Sequence, residues 1–327
     1  MNPDDIVALV RQASFSPSVH NVQPVRWRIE EDGVTLFLDH SRDLPAGDPN
    51  GNDAAMSVGA AIEGFVLAAG SSGLAARVEE PDKETIGRLD AMVRVRLTTG
   101  AAADPLASHL VTRRSHRGTF LEPTPTDRDR VRNLGADDAA AITDPEVLVE
   151  AGRRLEEASW SFMKDHAFRS ELLSWMRLTR DHPDWDRDGL NADAMAMGRL
   201  EAVGARLVLG PLFGPLRTVG LARPLVSDGD MLARDVGIIL FHRPIAEDRM
   251  ESGRHLHRLW LRIEAAGFGA QVLASLIDDE DTAGWVADVI DLPEGRRLLS
   301  AFRVGRRPPG DIPAPARLPV EELLISG

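Results

Sequence analysis

Two stretches, one on either side of residues 25–111, carry residue types suited to binding chemistry. Ser16-Pro17-Ser18-Val19-His20-Asn21-Val22-Gln23-Pro24 sets hydroxyl, amide and imidazole groups between two prolines. A tight loop of that kind offers donors and acceptors to the edge of a flat heterocycle. Thr112-Arg113-Arg114-Ser115-His116-Arg117-Gly118-Thr119-Phe120 is a cation cluster. Its donors at 113, 115 and 117 suit a phosphate monoester, because guanidinium forks and hydroxyls make charge-assisted bonds to phosphate oxygens. A heterocycle together with a phosphate points to a mononucleotide-type cofactor. Taken singly, each stretch also has a plainer account. Ser and Asn favour turns and caps, and arginines ahead of a helix are commonly just solvated.

The elements that must position these residues can be read from periodicity. Ile6, Val7, Leu9, Val10 and Ala13 recur at helical spacing, so a first helix delivers the chain to the Ser16 loop. A hairpin follows, Val25–Glu30 and Val34–Asp39, turning at Asp32-Gly33. Residues 53–74 read as a long apolar helix buried on most sides, and Val93–Leu97 alternates as a strand. An Ala/Asp/Pro-rich connector spans about 99–106. Beyond it come the arginine cluster, a helix at 126–134, helices across 145–178 and a looser insertion over about 180–230. A strand Val236–Phe241, a helix 250–266, a short helix 293–300, a strand Ala301–Gly305 and a Pro-rich tail end the chain. Gly59, Ile62, Leu67, Gly73 and Leu74 recur with the same spacing as Gly253, Leu256, Leu261, Gly267 and Phe268. That weak repeat fits two related halves, and equally two unrelated buried helices.

Composition bounds the class. A chain of 327 residues that is 43% apolar can bury one large or two medium cores. A net charge of -13 argues against a general nucleic-acid or anionic-membrane binder, so the arginine cluster stands out as a local site. With no cysteine there are no disulfides, thiolate catalysis or Cys-based metal centres. The acidic start and the lack of a long charge-free apolar run make the cytoplasm the expected location.

Together, the two stretches resemble the nitroreductase-like FMN flavoproteins, whose subunits carry an Arg-x-Ser-x-Arg start and a Pro-Ser-x-x-Asn-x-Gln-Pro loop. The nearer likeness is to the Acg-type branch, in which two such halves are fused. Asp39-His40-Ser41-Arg42, Asp48-Pro49, Ser57-Val58-Gly59-Ala60-Ala61, Ala167-Phe168-Arg169-Ser170-Glu171-Leu172 and Arg317-Leu318-Pro319 add to it. The resemblance implies an α+β nitroreductase-like fold in tandem halves, 1–106 and 107–327, forming an intrachain pseudo-dimer with a lid-like insertion. It implies FMN held by Pro17, Ser18, Val19, Asn21 and Gln23 from the first half. From the second half it implies Arg113, Ser115, Arg117, Val272, Leu273, Ala274, Ser275 and Arg317. Only the backbone of Ala274 is assigned near the flavin N5, and no side chain is assigned a catalytic role. Each half keeps the motif the other lacks, so one composite site per chain is expected. A monomer then suffices for the flavin, and a homodimer is left open.

The resemblance further implies reduction of a small organic acceptor, nitroaromatic or quinone-like, with NAD(P)H as reductant. The alternatives are a flavin-sequestering protein with little turnover and a flavin-dependent dehydrogenase of one metabolite. His20 is expected to be structural or solvent-facing. No metal is expected: Asp184–Met195 begins like a calcium loop but lacks the closing Glu, and His255 and His257 point to different helix faces. Gly267-Phe268-Gly269 lacks the third glycine of a dinucleotide fingerprint, and Ser161-Phe162-Met163-Lys164 has no accompanying Lys-Thr-Gly.

Overall fold

The computed structural model describes residues 2–135, 137–218, 221–223, 229–310 and 313–325, so parts of the expected insertion, 219–220 and 224–228, lie outside the described residues. Helix α1 (Pro3–Ala13) starts at Asn2, whose side chain accepts from the Asp4 N–H, and buries Ile6, Leu9, Val10 and Ala13. Strands β1 (Val25–Glu30) and β2 (Gly33–Asp39) form the expected hairpin. Helix α2 (Asn52–Ser71) is followed by β3 (Leu74–Glu79), the short β4 (Thr85–Ile86) and β5 (Leu89–Thr99). The first sheet runs β1-β2-β5-β3, antiparallel throughout, with β4 added on β5.

The second sheet repeats this plan. Helix α3 (Pro125–Arg132) precedes β6 (Ala139–Ile142); α4 (Pro145–Lys164), α5 (His166–Trp175), β7 (Met176–Arg177), β8 (Leu190–Asn191), α6 (Arg199–Leu209) and α7 (Phe213–Thr218) follow. Then come β9 (Gly237–Pro244), α8 (Arg249–Ala265), β10 (Gly269–Val272), α9 (Ser275–Asp278), α10 (Glu280–Val289), β11 (Arg296–Gly305) and α11 (Val320–Leu323). This sheet is ordered β6-β9-β11-β10, again antiparallel. In each sheet the chain order of the strands is first, second, fourth, third, and the long helix, α2 or α8, sits between the second and third. The fold is α+β.

Helices α2 and α8 pack on each other, and two glycines set their approach. A Cβ on Gly59 would lie 1.8 Å from the Met250 carbonyl oxygen, and one on Gly253 would lie 2.1 Å from that of Met56. The contact is reciprocal, since each glycine lies three residues after the methionine that meets the other. Ion pairs cross beside it: Arg254 and Arg258 hold the buried Glu63 at 3.0 and 2.8 Å. Among the described residues α2 is the helix long and apolar enough to cross a membrane, yet it lies in the core of the first sheet with Val58, Ile62 and Phe65 buried.

The chain ends tie the sheets together. Ile325 N–H donates to the Trp27 carbonyl at 2.9 Å, and Leu324 bridges Trp27, so the tail adds beside β1. Residues 115–116 pair with Ala270 on β10. The expected helix at 293–300 is absent. Residues 296–300 belong to β11, because pairing with β9 continues past a bulge between Leu298 and Ser300. The preceding helix is α10, which ends at Val289.

Candidate functional site

The loop after α1 is held in an unusual backbone shape. His20, Asn21 and Gln23 all have positive φ (48°, 56° and 52°), where side chains other than glycine are strained. Three such residues in four cost on the order of 1–3 kcal/mol each and persist only where surrounding contacts impose them. Those contacts come from far along the chain. Asn21 Nδ2 donates to the carbonyls of Gly189 (3.2 Å) and Ala316 (3.1 Å), and its Oδ1 accepts from Arg317 Nη1 at 2.7 Å. Gln23 Nε2 donates to the Arg187 carbonyl at 2.8 Å, and its Oε1 accepts from Leu318 N–H at 2.9 Å. Ser18 Oγ accepts from Gln23 N–H at 3.0 Å. The amides expected to face a heterocycle thus bind the insertion and the tail. Asp188 extends the clasp by pairing with Arg42 (3.0 Å) and Arg177 (2.6 Å).

Beside this loop lies a corner crowded with positive charge. Arg113 Nη2 and Arg317 Nη2 both donate to the Phe15 carbonyl, at 2.7 and 3.2 Å. The Arg113 guanidinium stacks 4.4 Å from the Trp260 ring centroid, and those of Arg317 and Arg114 lie over the Phe15 ring. Burial, with Arg317 and Arg114 nearby, pulls Arg113 down to about 9. Burial and Arg114 pull Arg317 down to about 10. Among the described residues none of Arg113, Arg114, Arg117 and Arg317 has a carboxylate within ion-pair reach.

The unmet polar atoms concentrate in the same place. Of ten buried side-chain nitrogens without a partner among the described residues, six belong to Arg113, Arg114, Arg317, Arg307, Trp260 and His257. His257 is fully buried, its Nδ1 donating to the Ala60 carbonyl at 2.7 Å. Burial, with Arg113 next, lowers it to about 3, so it stays neutral and Nε2 is a bare acceptor.

The expected residues do not all converge. Arg117 parts from Arg113 and Arg317, reaching the Ala194 carbonyl at 3.5 Å and standing near His20, which burial and Arg117 lower to about 4. Pairing of residues 115–116 with Ala270 is the cause, since it carries Arg117 past the corner to the insertion, with the Ser115 backbone bridging Ala270. Val272 ends β10, Leu273 lies in the core with Leu148 and Leu155, Ala274 opens α9, and Ser275 Oγ accepts from Ser159 Oγ at 3.0 Å. Pro17 and Ser18 line a narrow crevice, while Val19 lines a cavity of about 200 Å³ with Val22, Pro24, Arg42, Asp48 and Asp53. Sequence reasoning missed Trp260 and Phe15, whose types and spacing carried no signal. The segment around Glu171 is structural here, since Glu171 accepts from the N–H groups of Ala46 and Gly47 at 2.9 and 2.8 Å.

No family model matches the chain. A Mycobacterium tuberculosis protein provisionally named NAD(P)H nitroreductase acg is 26% identical over 336 residues, covering 98% of this chain and 95% of the relative. Over nearly its whole length the chain is similar to an Acg-type nitroreductase. A second M. tuberculosis protein, also provisionally named an NAD(P)H nitroreductase, is 32% identical over 106 residues, 32% of this chain and 31% of that one. Among solved structures, an FMN-bound nitroreductase from Bacteroides fragilis covers 64% of this chain and 91% of its own at 12% identity and a TM-score of 0.35. Iodotyrosine deiodinase bound to FMN and 3-iodo-L-tyrosine covers 63% and 95% at 14% identity and a TM-score of 0.33. At those scores the overlap carries no weight, and the architecture stands on the strand order of this chain.

Proposed function

We propose that the chain is an FMN-dependent oxidoreductase with NAD(P)H as reductant and a small organic acceptor, nitroaromatic or quinone-like. The observation that carries the reading is the corner around Phe15. Arg113 and Arg317 converge there with no ion-pair partner among the described residues, amid most of the orphaned buried nitrogens. A phosphate monoester fits that donor set, because its oxygens accept from guanidinium forks and compensate crowded cations. Arg113, Arg114 and Arg317 would hold it, with Trp260 fixing the plane of Arg113.

The ring would lie along the Ser16–Gln23 loop, where Asn21 and Gln23 would exchange the carbonyls of residues 187, 189 and 316 for the polar edge of the heterocycle. Bound there, FMN supplies two-electron redox chemistry, which is the cofactor's own. The residues of the chain bind, orient and exclude water. Positive charge near the site would stabilise an anionic reduced state, and the backbone at Ala274 is the donor proposed near N5. The loop comes from a first half, 1–106, and the arginines from a second, 107–327. The chain is then a fused pair with one composite site and needs no partner subunit for the cofactor.

A second reading, a flavin-holding protein with little turnover, is favoured by the clasp of residues 187–189 and 316–318 over Asn21 and Gln23. Reconstitution with FMN, followed by stopped-flow mixing with NADH and with NADPH, separates the two. An enzyme loses its flavin absorbance within seconds, whereas a holding protein does so far more slowly. Saturation at one flavin per chain is expected, and saturation at two would overturn the composite site.

A further inference from the structure

An acidic molecule here carries one basic, apolar surface region. Of ten large apolar side chains left exposed among the described residues, five lie between 200 and 221: Leu200, Val203, Leu207, Leu212 and Leu221. On α6, Leu200, Val203 and Leu207 follow three- and four-residue spacing and form a single stripe, with Leu200 90% exposed. The opposite side of the helix is anchored, because Ala202 and Leu209 are buried with Met176, Leu178 and Trp185. The apolar stripe is therefore what a well-seated helix turns to solvent.

Its charge differs in sign from the rest of the molecule. Residues 199–223 contain Arg199, Arg206, Arg217 and Arg223 against the single acid Glu201, a net +3 in a chain of -13. Arg199, Arg206 and Arg217 are exposed and without an ion-pair partner among the described residues, whereas Arg223 pairs with Glu156 at 3.1 Å. Glu201 is turned to the helix start, accepting from Gly198 N–H at 2.7 Å. At helical spacing Arg199 and Arg206 fall side by side along one edge of the stripe. Apolar side chains edged by arginine are the pattern of a helix lying in the plane of a membrane surface.

We propose that α6 and α7 dock on the surface of an anionic lipid bilayer, with Leu200, Val203 and Leu207 entering the interface and Arg199 and Arg206 meeting headgroup phosphates. The overall negative charge does not forbid this, since charges more than about 10 Å away are screened at physiological salt. A second copy of the chain is the poorer occupant. An isologous contact brings together two copies of one patch, and here each carries the same net positive charge.

Flotation of the whole chain with vesicles tests the proposal. It should float with phosphatidylcholine vesicles containing one-third phosphatidylglycerol at low salt. It should not float with phosphatidylcholine alone, and high salt should release it. Combined Leu200→Ser, Val203→Ser and Leu207→Ser should abolish flotation while leaving the thermal midpoint unchanged. Arg199→Gln with Arg206→Gln should weaken binding about 25-fold, about fivefold for each arginine. A wild-type chain that stays at the bottom of the gradient sinks the idea, as does a triple variant that floats like wild type. A wild-type dimer that becomes monomeric in the triple variant, with no flotation of either, would assign the stripe to a second copy instead.

Discussion

Gly59 and Gly253 stand 194 residues apart and do the same work, each admitting the backbone of the other helix. The same offset relates Asp53 to Glu247, and there the likeness ends. Glu247 is held low by its ion pair with Arg243 and by Ser252 Oγ, as in any structural carboxylate. Asp53 is pushed up to about 7 by burial and by the neighbouring Asp48 and Asp278, with only Arg249 opposing. It also lines the cavity reached by Val19 and Val22 of the strained loop. The two sheets share a packing plan, while the clustered arginines Arg113, Arg114 and Arg317, without ion-pair partners among the described residues, gather where the loop and the tail meet. Shared packing with unshared electrostatics is the outcome expected if one of two equivalent sites kept a ligand and the other was filled in.

The packing side of that comparison predicts the largest effects. Gly59→Ala and Gly253→Ala each place a methyl inside the other helix's carbonyl, so both should cost more than about 3 kcal/mol, by equal amounts within error. Urea unfolding of the two variants measures this. A tolerated Gly253→Ala beside a ruinous Gly59→Ala would break the equivalence.

The charged corner should separate phosphate from ring. Arg317→Ala should weaken FMN about ten- to a hundredfold, from about 1.5–3 kcal/mol per charge-assisted contact, and leave the already poor binding of riboflavin nearly unchanged. Equal losses for both ligands in a fluorescence titration would move Arg317 from the phosphate to the ring or the fold. Asn21→Ala should instead weaken FMN and riboflavin alike, by about 1–3 kcal/mol. It also releases Arg317 Nη1 from Asn21 Oδ1, so coupling between the two sites should appear in the double variant.

Part of this architecture is legible in the sequence itself. Asp32-Gly33 marks the first hairpin and the apolar run after Asp53 marks α2, because local chemistry specifies each, whereas the glycine spacing fits two related halves and two unrelated buried helices equally and does not reveal that Gly59 and Gly253 face each other's helix. Arg113 and Arg317 were also legible as types, being arginines beside hydroxyls and a proline-rich tail. Their meeting place was not, since Phe15 and Trp260 are ordinary apolar residues until the chain is folded. Arg117 lies apart from Arg113 and Arg317 because alternation implies a shared face only while a strand continues. Pairing of His116 N–H with the Ala270 carbonyl redirects the chain at that point. Residues 296–300 were misread for a related reason: Arg296-Arg297-Leu298-Leu299 has no two-residue period, and β9 alone makes it a strand.

The smallest expected effect follows from Asp53 and Glu247. Because the folded carboxyl of Asp53 keeps its proton to about pH 7 while the unfolded one loses it near pH 4, the folded state binds more protons between those values. Stability from this group therefore falls as pH rises from about 4 to about 7 and then levels. Asp53→Asn removes the penalty. It should leave stability at pH 4.5 nearly unchanged and raise it at pH 8 by about 1–2 kcal/mol, reduced from the full shift because the residue is only half-buried. Glu247→Gln should do the opposite, costing stability at pH 8 and little near pH 4, since its carboxylate is stabilised by the fold. Urea midpoints for both variants at the two pH values check the signs together. Two variants that shift the same way would mean that the equivalent carboxylates are alike after all, and the electrostatic contrast between the two sheets would fall with them.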